Sequence, residues 1–346
     1  MVTPVFASST RIAWSSKRQS AFGSPLVEAD MDRFLKLQEP LIVNETAEHW
    51  SDRGSVGSGH DWTEQRGRER QSVQFSIPDQ ALPVDFIGYL LGLLFSAETA
   101  QTTAGGANEH NCSFQSLDSR PAAWTTTLAV GEDDLSYYIQ DAAVTGLTIS
   151  GSRTDRLQAG AELVASKIGG TVTGNNWPAA SALRYLYSYA GTFSLDGDDS
   201  RTAQLRDFSL NLNSGINAEL AWQKASSESE RLHPSWWPYS PERSMTLNIS
   251  LLGSTGDLDT FRTAQQQATP MSVVISCLGE VIGGTSPPEN DLVEITIPQA
   301  VFTGLDYSYE DGMMVISLTA EGDYHASTGG PLAICTVEGS VPEYFV

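Results

Sequence analysis

The sequence predicts a mainly β protein with minor α content, organised as two tandem β-sandwich or barrel-like modules, each with one flanking α-helix. Three observations predict this fold. Landmarks of the first half recur about 173 positions later, apolar residues alternate with a period of two, and one helical segment interrupts the strands of each half. A chain of 346 residues is also too long for one ordinary core. The predicted modules span residues 1–172 and 173–346.

The repeat rests on four landmarks that keep their order in both halves. The matched sets are Trp50 with Trp222, His60 with His233, Glu69-Arg70 with Glu242-Arg243, and Thr145-Gly146-Leu147 with Thr303-Gly304-Leu305. The offset falls to about 158 for the last set. Residues 97–120 have no equally long counterpart, so a long loop is expected there. The modules are expected to meet at residues 169–178, where Gly, Asn and Pro interrupt the apolar pattern.

Strand signals follow the chain on both sides of this junction. They lie at 73–77, 147–149, 193–195, 208–212, 245–249, 292–297 and 314–318. Glu310-Asp311-Gly312 separates two strand patterns and predicts a hairpin. Residues 83–95 predict a buried helix with Pro83 in its first turn, and residues 255–267 predict a second helix that Pro270 ends.

The chain is strongly acidic, with 42 acidic against 20 basic residues and a formal charge of −22. This balance argues against wrapping around a nucleic acid, because Lys and Arg supply the affinity for phosphates. It suits solubility, and it also suits a wall along which DNA slides without binding. No stretch approaches the roughly 18 apolar residues of a membrane span, and the N-terminus lacks the apolar centre of a signal peptide. We therefore expect no membrane insertion, and synthesis in a cytoplasm.

No pattern of reactive side chains selects a catalytic, cofactor-binding or metal site, so we expect no enzymatic activity. The histidines lack the spacing of zinc ligands: His49, His60, His110, His233 and His325. Acidic clusters at 132–134, 196–199 and 256–259 lack the closing glutamate of a calcium loop and predict turns, helix starts and solvated loops. The three cysteines cannot all pair and predict buried free thiols: Cys112, Cys277 and Cys335.

Three segments resemble the tail tube proteins of bacteriophages with long, non-contractile tails. They are AVFTGLDYSYEDGMMVISL at 300–318, VTGLTISG at 144–151 and WSSKRQSAFG at 14–23. The resemblance covers most of the chain, and its motifs are turns and strands. It implies that each predicted module is a tail tube module, a β-sandwich with a flanking helix.

The resemblance also implies a function and partners. Such proteins stack as rings into the virion tail tube, which conducts the genome during ejection, and their inner sheets join around the lumen. Since this chain has two predicted modules, three chains would close a pseudo-six-fold ring, with a hexamer as the alternative. The implied partners are further copies of the chain, a tape measure protein in the lumen, and tail terminator and tail tip proteins. DNA would pass without specific binding, and the tail would assemble in the bacterial host cytoplasm.

Two further expectations concern contacts between rings and alternative functions. Residues 97–120 and 15–59 are expected to touch the neighbouring ring. The tryptophans near matching points of the halves could instead form a sugar-binding platform, which makes a carbohydrate-binding or adhesion protein the alternative: Trp50, Trp62, Trp222, Trp236 and Trp237. Core or interface anchors are the favoured interpretation, with Trp236-Trp237-Pro238 as the most exposed set. A tail terminator or connector ring is a third possibility, because fold alone does not fix the role.

Overall fold

Strands dominate the computed structural model of this chain, which confirms the mainly β class. The structure describes residues 10–39, 41–53, 63–102, 107–114, 123–132, 135–171, 177–178, 183–188, 191–217, 236–238, 243–283, 289–322, 334–339 and 344–345. The strands are β1 (Arg11–Trp14), β2 (Arg33–Lys36), β3 (Ile42–Arg53), β4 (Thr63–Ala81), β5 (Thr99–Thr102), β6 (Asn108–Ser113), β7 (Thr126–Glu132), β8 (Leu135–Ser152), β9 (Gln158–Ala165), β10 (Lys167–Thr171), β11 (Phe193–Leu195), β12 (Leu205–Asn213), β13 (Ser244–Gly253), β14 (Met271–Gly283), β15 (Glu289–Glu310), β16 (Met313–Gly322) and β17 (Ile334–Gly339). The helices are α1 (Val84–Phe95) and α2 (Thr255–Gln267), with short 3₁₀ segments at Glu28–Asp30 and Asp199–Gln204.

One antiparallel sheet runs through the described part of the chain. Its order is β3–β4–β9–β8–β12–β13–β16–β15, in which β8 and β15 contribute their C-terminal halves. We call these eight strands the inner sheet. The β8–β12 pairing joins strands from the first and second halves of the sequence, with Ile149 opposite Leu210. The inner sheet is therefore continuous across the predicted junction.

Two outer sheets pack above the inner sheet. The first has the order β2–β1–β7–β8–β10, and the second has the order β5–β6–β17–β15–β14–β11. Strands β8 and β15 are long enough to serve both layers, with their N-terminal halves in an outer sheet. One apolar cluster fills the space between layers and contains residues from both halves, including Trp14, Phe86, Phe261 and Phe302.

The pairings of the first half recur in the same order in the second. Strand β9 lies between β4 and β8, as β16 lies between β13 and β15, and β7 pairs with β1 and β8 as β14 pairs with β11 and β15. The two Thr-Gly-Leu segments occupy matching places. A bulge interrupts the register at Thr145 in β8 and at Thr303 in β15. Each threonine hydroxyl donates to a backbone carbonyl of the next strand, at 3.1 Å and 3.5 Å.

The helices lie close to the predicted positions but differ in burial. Helix α2 has the predicted bounds, begins with a Ser254–Asp257 capping box and buries only Leu258 and Phe261. Helix α1 is buried at every position except Asp85, as its apolar sequence predicts. Proline 83 is the N-cap of α1, one position before the predicted first turn. An extended backbone at this cap suits proline, which has no N–H to donate.

The hairpin prediction is confirmed, and one loop prediction is wrong. Asp311 and Gly312 have φ values of 50° and 80°, the positive values of the turn that joins β15 to β16. The segment at 97–120, expected to be a loop, contains strands β5 and β6. Strand β6 pairs with β17 from the end of the chain, so Cys112 lies opposite Cys335. The backbone groups of β6 form hydrogen bonds with one edge of β17. No local sequence pattern indicates this pairing. Residues 103–106 and 115–120 lie outside the described part.

Candidate functional surface

The inner sheet has one apolar face and one polar face. Apolar side chains alternate toward the core, and the residues between them point to the opposite side. On this second side, small uncharged polar residues predominate across the central strands: Thr148, Ser150, Ser209, Asn211, Ser244, Thr246, Asn248, Ser250, Ser317 and Thr319. We call this side the polar face. A shallow, open depression of about 550 Å³ lies over part of it.

Hydrogen bonds between neighbouring strands order the polar face. The Thr148 hydroxyl donates to the Asn211 side-chain oxygen at 3.0 Å, and the Thr319 hydroxyl donates to that of Asn248 at 3.0 Å. Such bonds between neighbouring strands hold these short side chains close to the sheet. The central strands of the polar face are therefore hydrophilic and ordered.

The charges on the polar face are predominantly negative. Among the described residues of this face, the acidic ones are Asp79, Glu162, Asp207, Asp306, Glu310 and Glu321. Arg206 extends from β12 and forms a 2.7 Å ion pair with Glu310, which offsets its charge. Burial raises the pKa of Asp207 and of Asp79, and the charge of Glu39 also raises that of Asp79. Over the part of this face whose side chains are described, an anionic polymer would meet net repulsion.

Both edges of the inner sheet are open in the part of the chain that the structure describes. Strand β3 pairs with β4 on one side, and residues 303–310 of β15 pair with β16 on one side. Tyr307 and Tyr309 on the second edge are 49% and 66% exposed, although their rings are apolar. Leu41 and Val43 at the first edge are only partly buried against the core. Open edges with incompletely covered apolar groups are typical of surfaces that bind another strand.

A buried charge cluster lies where α1 meets the second half of the chain. Arg184 forms ion pairs of 3.3 Å with Asp85 of α1 and with Asp291 of β15. Burial raises the pKa of both carboxyl groups, to about 6 for Asp291, while the arginine opposes this effect. Nearby, the side chains of Glu98 and His110 are buried together at 2.5 Å. These pairs connect α1, β6 and β15. Sequence reasoning missed the Arg184 pairs because their members are far apart in the chain, and it missed Glu98 with His110 because no local pattern shows that both are buried.

The last described residues cover α1. The ring of Tyr344 lies against Gly88, and the ring of Phe345 against Gly92, where a Cβ atom would come within 2.5 Å of the Phe345 ring. Tyr89 stacks on Phe345 with ring centroids 5.0 Å apart. Glycines four positions apart give a helix one flat face, so the chain end can pack on the helix backbone. That spacing was visible in the sequence, but its partner was not.

The tryptophan predictions have mixed outcomes. Trp236 is 48% exposed, as predicted, but Trp237 is only 3% exposed, so its predicted exposure is wrong. Its indole N–H donates to the Asp141 carbonyl at 2.8 Å, and its ring contacts Phe22 edge to face at 5.7 Å. The hydrogen bond and the apolar neighbours make it a core anchor. The side chains of the other three, Trp50, Trp62 and Trp222, lie outside the described part.

The remaining candidate residues have structural roles where they are described. Asp198 accepts from the backbone of Ser200 at the start of a 3₁₀ segment, and Asp257 belongs to the capping box of α2, which confirms the predicted turn and helix start at 196–199 and 256–259. Residues 133–134 of the third acidic cluster lie outside the described part. The three cysteines are buried and free, as predicted. Burial raises the pKa of Cys277 and Cys335 to about 12. Of the histidines, His110 is buried against Glu98. The side chain of His49, and all of His60, His233 and His325, lie outside the described part.

Within the described ranges, no three His, Cys, Asp or Glu side chains are grouped as metal ligands. None of the described helices has the length and apolar character needed to cross a membrane. A scan against protein-family models found no match to this sequence, and a search of curated proteins found none either.

Proposed function

We propose that this chain is a structural, non-enzymatic protein whose copies form rings that stack into the tail tube of a long-tailed bacteriophage. The inner sheet carries the proposal. It is continuous over both halves of the chain and has an acidic polar face on one side and a packed core on the other. Within the described ranges, no strand pairs with either of its two edges. Such a sheet is suited to line a conduit when its edges meet those of other copies.

The recurring pairings support two tail tube modules at residues 1–172 and 173–346. Each half contains a long strand that serves two sheets, a helix directly after its second inner-sheet strand, and a bulge at Thr-Gly-Leu. Three chains would then supply six similar modules to one ring. The polar face would point to the lumen, where acidic side chains repel DNA and uncharged ones give it no fixed grip.

Burial of Trp237 weakens the alternative of a sugar-binding platform, because its ring is unavailable to a ligand. The proposed ring would enclose a tape measure protein before ejection and would contact tail terminator and tail tip proteins at its ends. These partners follow from the resemblance to tail tube proteins, and the finished particle would be part of the virion.

Negative-stain electron microscopy of the purified full chain over a range of concentrations tests the proposal. We expect tubes whose layers have three-fold symmetry with six similar blades. Isolated rings that do not lengthen would favour a terminator or connector, whereas a monomer at every concentration and salt condition would contradict ring assembly altogether. A DNA-binding assay at low salt should detect no affinity for duplex DNA.

A further inference from the structure

We propose that the β15 edge at residues 303–310 pairs with the β3 edge of the next copy of this chain, in the register that joins β8 to β12 within one chain. This inference rests on the proposed ring assembly and names its contact. The partner at each open edge is a second copy of the chain, because the β8–β12 pairing within one chain already shows how two such edges pair. We call this β8–β12 pairing the internal joint.

One strand of the internal joint is β8, and β15 is its counterpart in the second half of the chain. Both strands carry the Thr-Gly-Leu bulge, and both pair beyond it with the strand that follows them. Counting from Thr145 and Thr303, Ile149 corresponds to Tyr307 and Gly151 to Tyr309. In β8 the far edge is occupied by β12, whereas in β15 no strand occupies it among the described residues. The Thr303 carbonyl accepts a 3.1 Å hydrogen bond from the Gln265 side chain of α2.

The other strand of the internal joint is β12, and β3 is its counterpart in the first half of the chain. Strand β12 pairs with β13, which leads into α2, and β3 pairs with β4, which leads into α1. Leu210 faces Leu247 as Val43 faces Phe75. Leu247 and Phe75 are equivalent, because Ile249 and Ile77 follow at the same spacing and pair with matching positions of β16 and β9. Val43 therefore corresponds to Leu210.

Side chains are buried at the internal joint and exposed at the β15 edge, as expected if the β15 edge lacks its partner strand. Ile149 is fully buried at the β12 joint, and the space beside Gly151 is filled by the Phe208 ring. Their counterparts Tyr307 and Tyr309 are exposed and contact each other edge to face, with centroids 6.4 Å apart. A second copy would cover these rings with Leu41 and Val43, as Phe208 and Leu210 cover β8.

Transfer of the register gives specific pairs. Because Leu210 lies opposite Ile149, Asn211 opposite Thr148 and Phe208 opposite Gly151, three contacts between copies are expected. They are Val43 with Tyr307, Asn44 with Asp306, and Leu41 with Tyr309. The pair Asn44 and Asp306 occupies the polar face, where Thr148 and Asn211 hydrogen bond in the internal joint.

Disulfide trapping tests the register on the assembled full chain. In the double variant Asn44→Cys/Asp306→Cys, mild oxidation should link neighbouring copies into covalent multimers, because directly opposed residues lie within disulfide range. The native cysteines are buried and should not interfere. The matched control is Asn44→Cys/Ser308→Cys, which shifts one thiol by two residues on the same face, about 7–8 Å away diagonally, and should link poorly. Mixing the two single variants Asn44→Cys and Asp306→Cys should give dimers only.

A second variant removes the dependence on disulfide chemistry. Tyr307→Glu places a charge opposite Val43 and should abolish assembly. Its unfolding midpoint should equal that of the wild type measured at a low concentration where neither protein assembles, because this side chain is half exposed in the single chain. Val281→Glu, at an exposed residue outside the inner sheet, is the control and should assemble normally.

The outcomes separate this inference from the proposed function. Rings or tubes that form with equal linking at 306 and 308, or with none at 306, would overturn the register while leaving the conduit in place. Normal assembly of Tyr307→Glu would overturn the use of this edge. Absence of assembly in the wild type would contradict the register and the proposed function together.

Discussion

The Asp141 carboxylate accepts a 2.7 Å hydrogen bond from the backbone N–H of Gly23, 118 positions earlier in the chain. It also accepts from the Gln19 amide at 3.1 Å and from the Ser166 hydroxyl at 2.5 Å. Asp141 lies in β8 where the strand passes from the outer sheet to the inner sheet, with a φ of 54°. One buried side chain thus attaches the N-terminal segment to the bend between the layers.

We expect Asp141→Ala to destabilise the fold by about 2–4 kcal/mol, because it leaves buried donors unpaired and keeps a side chain at positive φ. Asp141→Gly should be less harmful than Asp141→Ala by about 1 kcal/mol, since glycine relieves the backbone strain but not the lost bonds. Urea unfolding of the three proteins measures both differences. Equal stability of Asp141→Ala and the wild type would show that the N-terminal segment is held by other contacts.

The adjacent tryptophans provide a matched pair. Trp237→Phe removes the indole N–H that binds the Asp141 carbonyl and reduces a buried ring, so we expect a loss of about 1–3 kcal/mol in unfolding free energy. Trp236→Phe changes a half-exposed ring and should stay within about 0.5 kcal/mol of the wild type. Similar losses in both variants would contradict the core role of Trp237.

These tryptophans also show where sequence reasoning ends. Local signals predicted the period-two strands, the bounds of α2 and the matching Thr-Gly-Leu segments, because alternation, caps and bulges depend on neighbouring residues. Burial of Trp237 depends on Asp141 and Phe22, which lie far away in the chain. Tertiary contacts therefore determine which of the two adjacent tryptophans is buried.

The surface itself was predictable only in part. A net charge of −22 favoured an acidic surface, but the charge alone does not indicate which face of which sheet carries it. The open edge is marked by the exposure of Tyr307, since Ile149 at the corresponding place is buried, and this difference depends on tertiary contacts. Likewise, the pairing of β6 with β17 closes a separation of more than 200 residues, which no local pattern encodes.

The contact between Gly88 of α1 and the Tyr344 ring allows a second test of core packing. Gly88→Ala should raise the helix propensity by about 1 kcal/mol, yet its Cβ would overlap the Tyr344 ring, and we expect a net loss of about 1–3 kcal/mol. The control is Gly256→Ala in α2, where the nearest atom to a Cβ is the Ser254 Oγ at 3.7 Å. That variant should be neutral or more stable in thermal unfolding.

A further substitution identifies the cause of the expected loss. Tyr344→Ala in the Gly88→Ala background should recover part of the stability relative to the sum of the two single changes, because it removes the overlap. Strict additivity of the two substitutions would mean that the Tyr344 ring does not limit the space at Gly88.

The buried carboxyl of Asp291 predicts a dependence of stability on pH. Burial raises its pKa from 3.8 to about 6, the negative charges of Asp85 and Glu280 add to the rise, and Arg184 opposes it. Between these two pH values the folded state binds a proton that the unfolded state has released. This contribution to stability is therefore present below about pH 4 and is lost as the pH rises through about 6.

Asp291→Asn keeps the shape of the protonated side chain and cannot ionise, so the variant should gain stability relative to the wild type as the pH rises from 4 to 7. Each unit of pKa shift corresponds to about 1.4 kcal/mol of this difference. Urea unfolding of both proteins across that pH range isolates the effect, because the other carboxyl groups are common to both. A difference in unfolding free energy that stays constant with pH would show that the Asp291 carboxyl keeps the same pKa when the chain unfolds.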